Sequence, residues 1–336
     1  RRNLGAHYTS EKNILKLIGP LFLDGLKVEL DKAGKDEKKL AQLHRKLTTL
    51  KFLDPACGCG NFLVIAYREL RELELEVLKR QFATQQSVLV RVQDHVLIDV
   101  DQFYGIEIEE FPAQIAQVAM WLMDHQMNLR VSEHFGENVV RLPLKKSATI
   151  VHGNALRIDW NDVVPAVELS YILGNPPFIG HQWRDADQMA DMTRIWGSEG
   201  RFGRLDYVTA WYRLAVDYMQ GNPAIRAAFV STNSISQGEQ VGILWGDLLA
   251  RGVRLHFGHR TFQWTNEAKG KAAVHCVIVG FGLTDAVPKR LFDYAELKGE
   301  PHEQVVGSLS PYLVEGGELV LPSRTQPPHG YPLMTK

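Results

Sequence analysis

The sequence predicts an α/β protein in which a mainly parallel sheet is covered by helices on both faces. Short apolar runs alternate with longer segments of helical periodicity over most of the 336 residues, and this alternation is typical of successive strand–helix units. A glycine-rich turn follows the first apolar run, at 54–60, and the turn Asn-Pro-Pro-Phe follows a later run, at 175–178. Both turns are expected at carboxyl ends of strands, where open α/β sheets bind ligands.

The composition favours a soluble, intracellular protein. The formal net charge is −1 and the pI is about 6.9, so any surface for nucleic acid must be a local patch. Three cysteines form no disulfide framework and suit a reducing cytoplasm. The sequence shows no signal-peptide pattern and no run of 18 apolar residues. We therefore expect a cytoplasmic protein without a membrane partner. The chain starts with Arg1-Arg2, so we interpret it as a piece of a longer polypeptide.

An amino-terminal helical segment, residues 1–50, precedes the first predicted strand. The pattern over residues 10–28 predicts a helix with Ser10 at its N-cap. Residues 29–49 are rich in lysine and acidic residues, and we interpret them as a solvated helix or a linker.

The core of the protein is predicted at residues 51–283. Strands are predicted at 51–53, 103–108, 148–151, 171–173, 227–230 and 275–281. Helices are predicted at 61–82, 114–127, around 206–219 and around 239–250. The remaining residues, 284–336, are rich in proline, and we interpret them as the exit from the domain.

The stretch FLDPACGCGNFL, residues 52–63, predicts a strand, a tight turn and the start of a helix. Gly58 and Gly60 allow backbone angles that other residues avoid, so a ligand can approach the main chain. Leu63 stands where a dinucleotide-binding fingerprint needs its third glycine. Glu107 ends the next strand and could accept hydrogen bonds from ribose hydroxyls, but it follows Gly60 by 47 residues rather than about 20. An ordinary strand–helix turn beside a solvated glutamate is the open alternative.

Two cysteines in this turn raise the question of a redox or metal site. The spacing Cys57-x-Cys59 is not the Cys-x-x-Cys of either class, so we interpret both as small side chains in a crowded turn. Asp285, Glu296 and Lys298 show a faint likeness to a nuclease metal site, but such combinations are common. We predict no metal ion.

The stretch SYILGNPPFIG, residues 170–180, predicts a short buried strand that stops abruptly. The two prolines cannot continue a ladder of hydrogen bonds, and they hold the backbone extended. The Asn175 amide and the Phe178 ring are therefore expected to be held rigidly at the end of this strand.

The motifs together resemble the gamma-type amino-methyltransferases of DNA, which make N6-methyladenine. The resemblance is strongest to the methyltransferase part of single-chain restriction–modification enzymes, of the type IIG and IIL kind. It covers residues 3 to about 283 and rests on these stretches in this order: GAHYT (5–9), DPACGCG (54–60), GIEI (105–108), GNAL (153–156), NPPF (175–178), RLDYVTAWY (204–212), AFVSTNSISQG (228–238) and FQWTNEAKGKAAVHCVIVGF (262–281).

The resemblance implies a fold and a cofactor. The fold would be a doubly wound, seven-stranded, mostly parallel sheet whose last strand is antiparallel, as in class I S-adenosylmethionine-dependent methyltransferases. The cofactor would be S-adenosyl-L-methionine, with Glu107 on its ribose and Asn154 on its adenine. The implied cofactor-binding residues are Thr9, Asp54, Ala56, Gly58, Gly60, Asn61, Glu107, Ile108, Asn154, Ala155 and Trp211.

The resemblance also implies how the target is handled. An adenine amine is a poor nucleophile, and the Asn175 oxygen and Pro176 carbonyl would accept its hydrogens while the base lies outside the duplex. The implied catalytic residues are Asn175, Pro176, Pro177 and Phe178. Phe178 would stack on the base, and Phe262 or Trp264 is the candidate for its other face, although either ring could equally be a core residue.

The implied partner is double-stranded DNA, together with nuclease and target-recognition domains that are fused or associated. A target-recognition domain would follow the exit segment 284–336. The candidate DNA contacts are local basic residues: Arg194, Arg201, Arg204, Lys269 and Lys271.

Three other functions stay open from the sequence. A protein glutamine methyltransferase uses a similar Asn-Pro-Pro motif but lacks a segment like GAHYT. An RNA amine methyltransferase is excluded less well. A cofactor-binding module without turnover is a third alternative, against which the intact motif at 175–178 argues. A cytosine C5 mechanism needs a nucleophilic cysteine, usually after proline, and no Pro-Cys pair occurs.

Overall fold

The computed structural model describes residues 10–83, 91–139, 147–198, 201–264 and 274–321. Its helices are α1 Glu11–Ile18, α2 Asp24–Ala33, α3 Glu37–Thr49, α4 Asn61–Phe82, α5 Glu110–Phe135, α6 Trp160–Val163, α7 Ala186–Trp196, α8 Thr209–Met219 and α9 Glu239–Ala250. Its strands are β1 Phe52–Asp54, β2 Phe103–Glu107, β3 Thr149–His152, β4 Tyr171–Gly174, β5 Arg226–Thr232, β6 Arg254–Trp264, β7 Val274–Gly282, β8 Lys289–Asp293 and β9 His302–Val306. Across these ranges, no helix has the length and apolar character needed to cross a membrane.

The described strands form a single sheet in the order β3-β2-β1-β4-β5-β7-β6-β8-β9. Strands β1 to β5 run parallel to their neighbours in this group, and β7 is antiparallel to both β5 and β6. The sheet therefore has nine strands rather than the seven expected, because β8 pairs with β6 and β9 pairs with β8.

Helices cover both faces of the sheet. One apolar layer joins α1 to α5 to the sheet, through residues such as Leu17, Leu43 and Tyr67. The other layer joins α6 to α9 to the opposite face, through residues such as Tyr212 and Trp245. This arrangement confirms the mixed α/β architecture that the alternation of strands and helices predicts.

The amino-terminal segment is more regular than its charged composition indicates. The predicted helix at 10–28 is instead α1, a short π-helical stretch at Gly19–Leu23 and the start of α2. Ser10 occupies the N-cap position, but its side chain makes no capping hydrogen bond. Residues 37–49 form α3, which buries an apolar stripe and is not a solvated helix.

The segment after residue 283 does not leave the sheet at once. Residues 289–293 and 302–306 form β8 and β9, and Leu291, Phe292 and Val306 are buried. Residues 289–293 and 302–306 are therefore part of the sheet rather than of an exit from the domain. A target-recognition domain farther along the chain stays an expectation.

Candidate active site

The candidate site lies where the direction of the sheet order reverses. From β1 the chain adds β2 and β3 on one side, and then β4 and β5 on the other side. A crevice forms at such a switch point, outside the carboxyl ends of the strands. Asp54, Glu107 and Gly174 are the last residues of β1, β2 and β4, so the two turns singled out by the sequence meet at this crevice.

Two glycines shape the turn that follows β1. Gly60 has φ 83° and caps α4, and a Cβ there would lie 3.0 Å from the Ala116 Cβ on α5. Gly58 has φ 55°, and a Cβ there would meet no atom within 4 Å. Gly60 therefore permits close helix packing, while Gly58 leaves open space above the turn for a ligand.

Glu107 is held in place by backbone donors. Its Oε2 accepts a hydrogen bond from the Gly58 amide at 2.8 Å, and its Oε1 accepts one from the Glu109 amide at 2.9 Å. Each carboxylate oxygen retains a further lone pair. Ile108 beside it is 55% exposed, so the end of β2 presents a fixed carboxylate and an accessible apolar side chain next to the glycine turn.

Asp54 is the other carboxyl group at this crevice, and it is 1% exposed. Its Oδ1 accepts a hydrogen bond from the Ala56 amide at 3.0 Å. Burial, with a smaller contribution from the like charge of Glu107, raises the pKa of Asp54 to about 8. Asp54 is therefore mainly protonated at neutral pH in this structure.

The two cysteines of the turn do not form a reactive pair. Cys57 is buried, and a Cβ on Gly105 would lie 2.8 Å from its Sγ, so the thiol packs directly over β2. Burial raises the pKa of Cys57 and of Cys59, which makes both thiols less reactive. Within the described residues, no group of three or more histidine, cysteine, aspartate or glutamate side chains could hold a metal ion.

The Asn-Pro-Pro-Phe turn follows β4 directly. The Asn175 Oδ1 atom is buried and has no hydrogen-bond partner among the described residues. A buried acceptor without a partner is costly, so such an atom is a candidate contact for a ligand. Pro176 is buried, and Phe178 is half-buried between the two apolar layers. The structure thus shows an available acceptor on a rigid turn.

Both polar atoms of the Asn154 side chain make hydrogen bonds within the protein. Its Nδ2 donates to Asp191 Oδ2 at 2.9 Å, and its Oδ1 accepts from the Leu156 amide at 2.9 Å. Tyr207 also donates to Asp191, at 2.9 Å. Asn154 therefore anchors the turn after β3 to α7, while Ala155 is buried and accepts from the Trp160 indole.

Trp211 supports the glycine turn from beneath. Its indole is buried, and Nε1 donates to the Pro55 carbonyl at 3.0 Å. Tyr207 packs edge-on against it with ring centroids 5.2 Å apart. The ring thereby fixes the position of the turn, whereas Ala56 and Asn61 lie half-buried within and after it.

Asp206 is a site residue to which sequence reasoning assigned no role. It is buried, and its Oδ2 accepts hydrogen bonds from Thr232 Oγ1 at 3.1 Å and Ser234 Oγ at 2.5 Å. The next residue, Tyr207, donates its amide to the Ile179 carbonyl at 2.9 Å. The segment RLDY thus ties the end of β5 to the turn after β4. The motif was visible in the sequence, but these contacts were not.

Phe262 is not available for stacking on a base. It is fully buried, stacks on Tyr294 at 5.1 Å, and lies 4.6 Å from the Lys16 ammonium. Phe262 is thus a core residue, the alternative that the sequence left open, because β8 continues the sheet beyond β6, and Tyr294 and Lys16 of α1 cover this ring. Trp264 ends β6, but its side chain is outside the described part of the molecule.

The candidate DNA contacts lie on separate elements. Arg194 is exposed on α7, and Arg204 is exposed and pairs with Glu239 at 2.6 Å. The backbone of Arg201 belongs to the same turn as Arg204, and its side chain is not described. Thr9, Lys269 and Lys271 lie outside the described residues. Contact between these basic residues and DNA stays a prediction.

Comparison with known proteins identifies the family. Residues 30–293 match the family described as "MmeI, DNA-methyltransferase domain". The chain belongs to this family. The resemblance to the methyltransferase part of single-chain, type IIL-like restriction–modification enzymes is therefore confirmed.

Individual relatives agree with this assignment. The chain is 41% identical over 331 residues to DNA methyltransferase A of Bacillus subtilis (strain 168). This alignment covers 97% of the chain and 36% of the relative. The solved structure of the type IIL restriction–modification enzyme MmeI in complex with DNA superposes with a TM-score of 0.93 at 55% identity, over 97% of this chain and 44% of that chain. The chain thus spans less than half the length of either relative.

A more distant similarity extends to a type ISP restriction–modification enzyme. The nuclease-deletion mutant of the type ISP restriction–modification enzyme LlaGI superposes with a TM-score of 0.52 at 14% identity, over 86% of this chain and 24% of that chain. At this identity the similarity concerns the fold alone.

Proposed function

We propose that this domain transfers a methyl group from S-adenosyl-L-methionine to the N6 amine of an adenine in DNA, as part of a restriction–modification system. Membership of the MmeI methyltransferase family supports the reaction class, and the complex of MmeI with DNA supports the substrate. The single observation that carries the choice of an amine is the buried, unpartnered Asn175 Oδ1 at the sheet switch point.

The residues of the crevice fit the proposed cofactor. The first seven strands, in the order β3-β2-β1-β4-β5-β7-β6 with β7 antiparallel, support the class I methyltransferase fold. Glu107 would accept hydrogen bonds from the two ribose hydroxyls of the cofactor, and Ile108 would lie against its adenine. Gly58 would leave room for the cofactor beside the turn. When bound, the cofactor supplies an electrophilic methyl group.

Asn175 would direct the lone pair of the target nitrogen. Its Oδ1 and the carbonyl of Pro176 can each accept one amine hydrogen, which favours a tetrahedral nitrogen over one conjugated with the ring. These acceptors are preorganised by two prolines and a buried strand, so little reorganisation is required as the nitrogen changes shape. Positioning and electrostatics then carry the reaction, and no strong base is needed.

Phe178 would hold the target base after it leaves the duplex. Its half-buried ring is packed between the two apolar layers, so one part of the ring is fixed and another part is accessible. Stacking on such a ring is worth about 1–3 kcal/mol per base. The base must leave the stack because its amine is otherwise enclosed by the duplex.

The proposal is tested by mapping the modified base. The complete polypeptide would be incubated with unmethylated DNA of random sequence and labelled S-adenosylmethionine, and the methylated positions would be read by sequencing. We expect N6-methyladenine within a defined sequence. Methylation of cytosine, or of RNA or protein but not DNA, would overturn the assignment, and cofactor binding without any transfer would identify a module without turnover.

A further inference from the structure

Gly174 brings the two halves of the candidate site into direct contact. It ends β4, immediately before Asn175, and lies opposite the end of β1. A Cβ added to Gly174 would lie 2.4 Å from Asp54 Oδ1 and 3.1 Å from Asp54 Cγ. Real Cβ atoms do not approach other atoms so closely, so the Asp54 carboxyl occupies the space that any side chain at 174 would need.

The Asp54 carboxyl has little freedom to move away. It is 1% exposed, and the same Oδ1 accepts the hydrogen bond from Ala56 that shapes the glycine turn. Displacement of this oxygen would therefore disturb the turn. If Asp54 stayed in place, the backbone at 174 would have to shift instead, and Asn175 is covalently attached to it.

We propose that Gly174 is a positioning residue for methyl transfer, because its missing side chain lets the Asp54 carboxyl lie against the start of the Asn-Pro-Pro-Phe turn. One buried carboxyl then fixes both the glycine turn on the cofactor side and Asn175 on the target side. This inference rests on the proposed function, and it adds a residue to which the motifs assign no role. It also explains how the glycine turn and the Asn-Pro-Pro-Phe turn keep a fixed position relative to each other, although Asp54 and Gly174 are 120 positions apart in the sequence.

The variant Gly174→Ala is expected to impair both sides of the site. Binding of S-adenosylhomocysteine should weaken, and the rate of a single turnover at saturating cofactor and DNA should fall by about 10²-fold, the usual cost of misplacing a reacting group by 1 Å. A purely local effect on the cofactor turn would change the affinity and leave this rate unchanged. Gly307→Ala is the matched control, since a Cβ there meets no atom within 4 Å.

A double-mutant cycle separates the collision from backbone strain. Gly174 has φ 157°, so alanine carries some strain at this position in every background. Asp54→Ala removes the colliding oxygen, whereas Asp54→Asn keeps the bulk of the side chain and cannot ionise. We expect the effect of Gly174→Ala to persist in the Asp54→Asn background and to shrink to about threefold or less in the Asp54→Ala background.

Two quantities are measured for each variant of this cycle: the free energy of unfolding in urea and the single-turnover rate. Unfolding needs no methylation, so it tests the contact even if the proposed reaction is wrong. Equal loss of stability from Gly174→Ala in the wild-type and Asp54→Ala backgrounds would overturn the inference. If Gly174→Ala fails to fold, the double variant with Asp54→Ala should fold, and its failure would overturn the inference as well.

Discussion

Two buried polar clusters in this molecule are built in opposite ways. Between α4 and α5, the fully buried Arg71 donates at 2.6 Å to Tyr67, and at 2.8 Å to both Asp124 and Asn128. Its Nε lies 3.1 Å from Glu74 Oε2. The positive charge is thus surrounded by acceptors of the same protein. Nε and Glu74 Oε2 make no hydrogen bond but form an ion pair, so the charges of this cluster are paired within the protein and we call the cluster closed.

The crevice between β1 and β4 is the opposite case. Asp54 is buried near the Glu107 carboxyl group, whose charge contributes to the raised pKa of Asp54, and Asn175 Oδ1 has no hydrogen-bond partner in the described part of the chain. Such an arrangement is unfavourable for folding, because buried acceptors without donors lose their hydration. A ligand that brings its own donor would relieve this cost at Asn175. The Arg71 cluster is thus satisfied within the protein, whereas the crevice leaves a buried acceptor open.

The largest effect is expected from breaking the closed cluster. Arg71→Met leaves buried carboxylates without their cation, and it should lower the free energy of unfolding by about 3–5 kcal/mol. The affinity of the folded fraction for cofactor should not change. Urea unfolding measures the loss, with Arg254→Met as control, since Arg254 pairs with Glu318 at 2.9 Å and is 42% exposed. A stability change as small as that of the control, about 0–1 kcal/mol, would contradict the role of Arg71.

In the crevice, Glu107 should affect binding far more than stability. Glu107→Ala removes a charged acceptor of the proposed ribose hydroxyls, and it should weaken S-adenosylmethionine binding by about 1.5–3 kcal/mol. Calorimetric titration of the purified protein measures this change. Unchanged affinity in a folded Glu107→Ala protein would remove this residue from the cofactor site.

Phe178 should affect capture of the target base. Phe178→Ala removes a stacking surface worth about 1–3 kcal/mol, whereas Phe178→Tyr and Phe178→Trp keep a flat ring and should retain much of the activity. The fluorescence of 2-aminopurine at the target position reports the extruded base. Equal fluorescence and equal rates in all three variants would show that this ring does not hold the base.

A further effect concerns the pH dependence of stability in the absence of cofactor. Burial raises the pKa of Asp54 to about 8 from its ordinary value of 3.8, so the folded state keeps a proton that the unfolded state releases. Between about pH 4 and 8 this residue makes the protein less stable as the pH rises, by at most about 1.4 kcal/mol per pH unit.

Asp54→Asn should remove this part of the pH dependence. Unfolding free energies of the wild type and the variant, measured from pH 5 to 8, should therefore diverge as the pH rises, with the variant becoming relatively more stable. Parallel curves would show that Asp54 is ionised in the folded protein throughout this range.

Much of the crevice could be predicted from the sequence, because local patterns determine it. An apolar run followed by glycines or prolines marks the end of a strand, and the parallel strands of one sheet end at the same edge. This placed Asp54, Glu107 and Asn175 together. Glycine spacing likewise predicted where α4 begins.

The remainder depended on contacts between distant parts of the chain. Phe262 became a core residue because Tyr294 and Lys16, from opposite ends of the sequence, cover it. Likewise β8 pairs directly with β6, although β7 lies between these two strands in the sequence. The hydrogen bonds that occupy Asn154 come from Asp191 and Leu156, and no local pattern indicates them.

The proposed mechanism depends above all on Asn175, which would act on the target amine during methyl transfer. The most direct measurement is the single-turnover rate of Asn175→Ala in the complete polypeptide, at saturating DNA and cofactor. We expect this rate to fall by about 10²–10³-fold, with the affinities for DNA and S-adenosylmethionine nearly unchanged. Methylation of adenine by Asn175→Ala at the wild-type rate would contradict the mechanism.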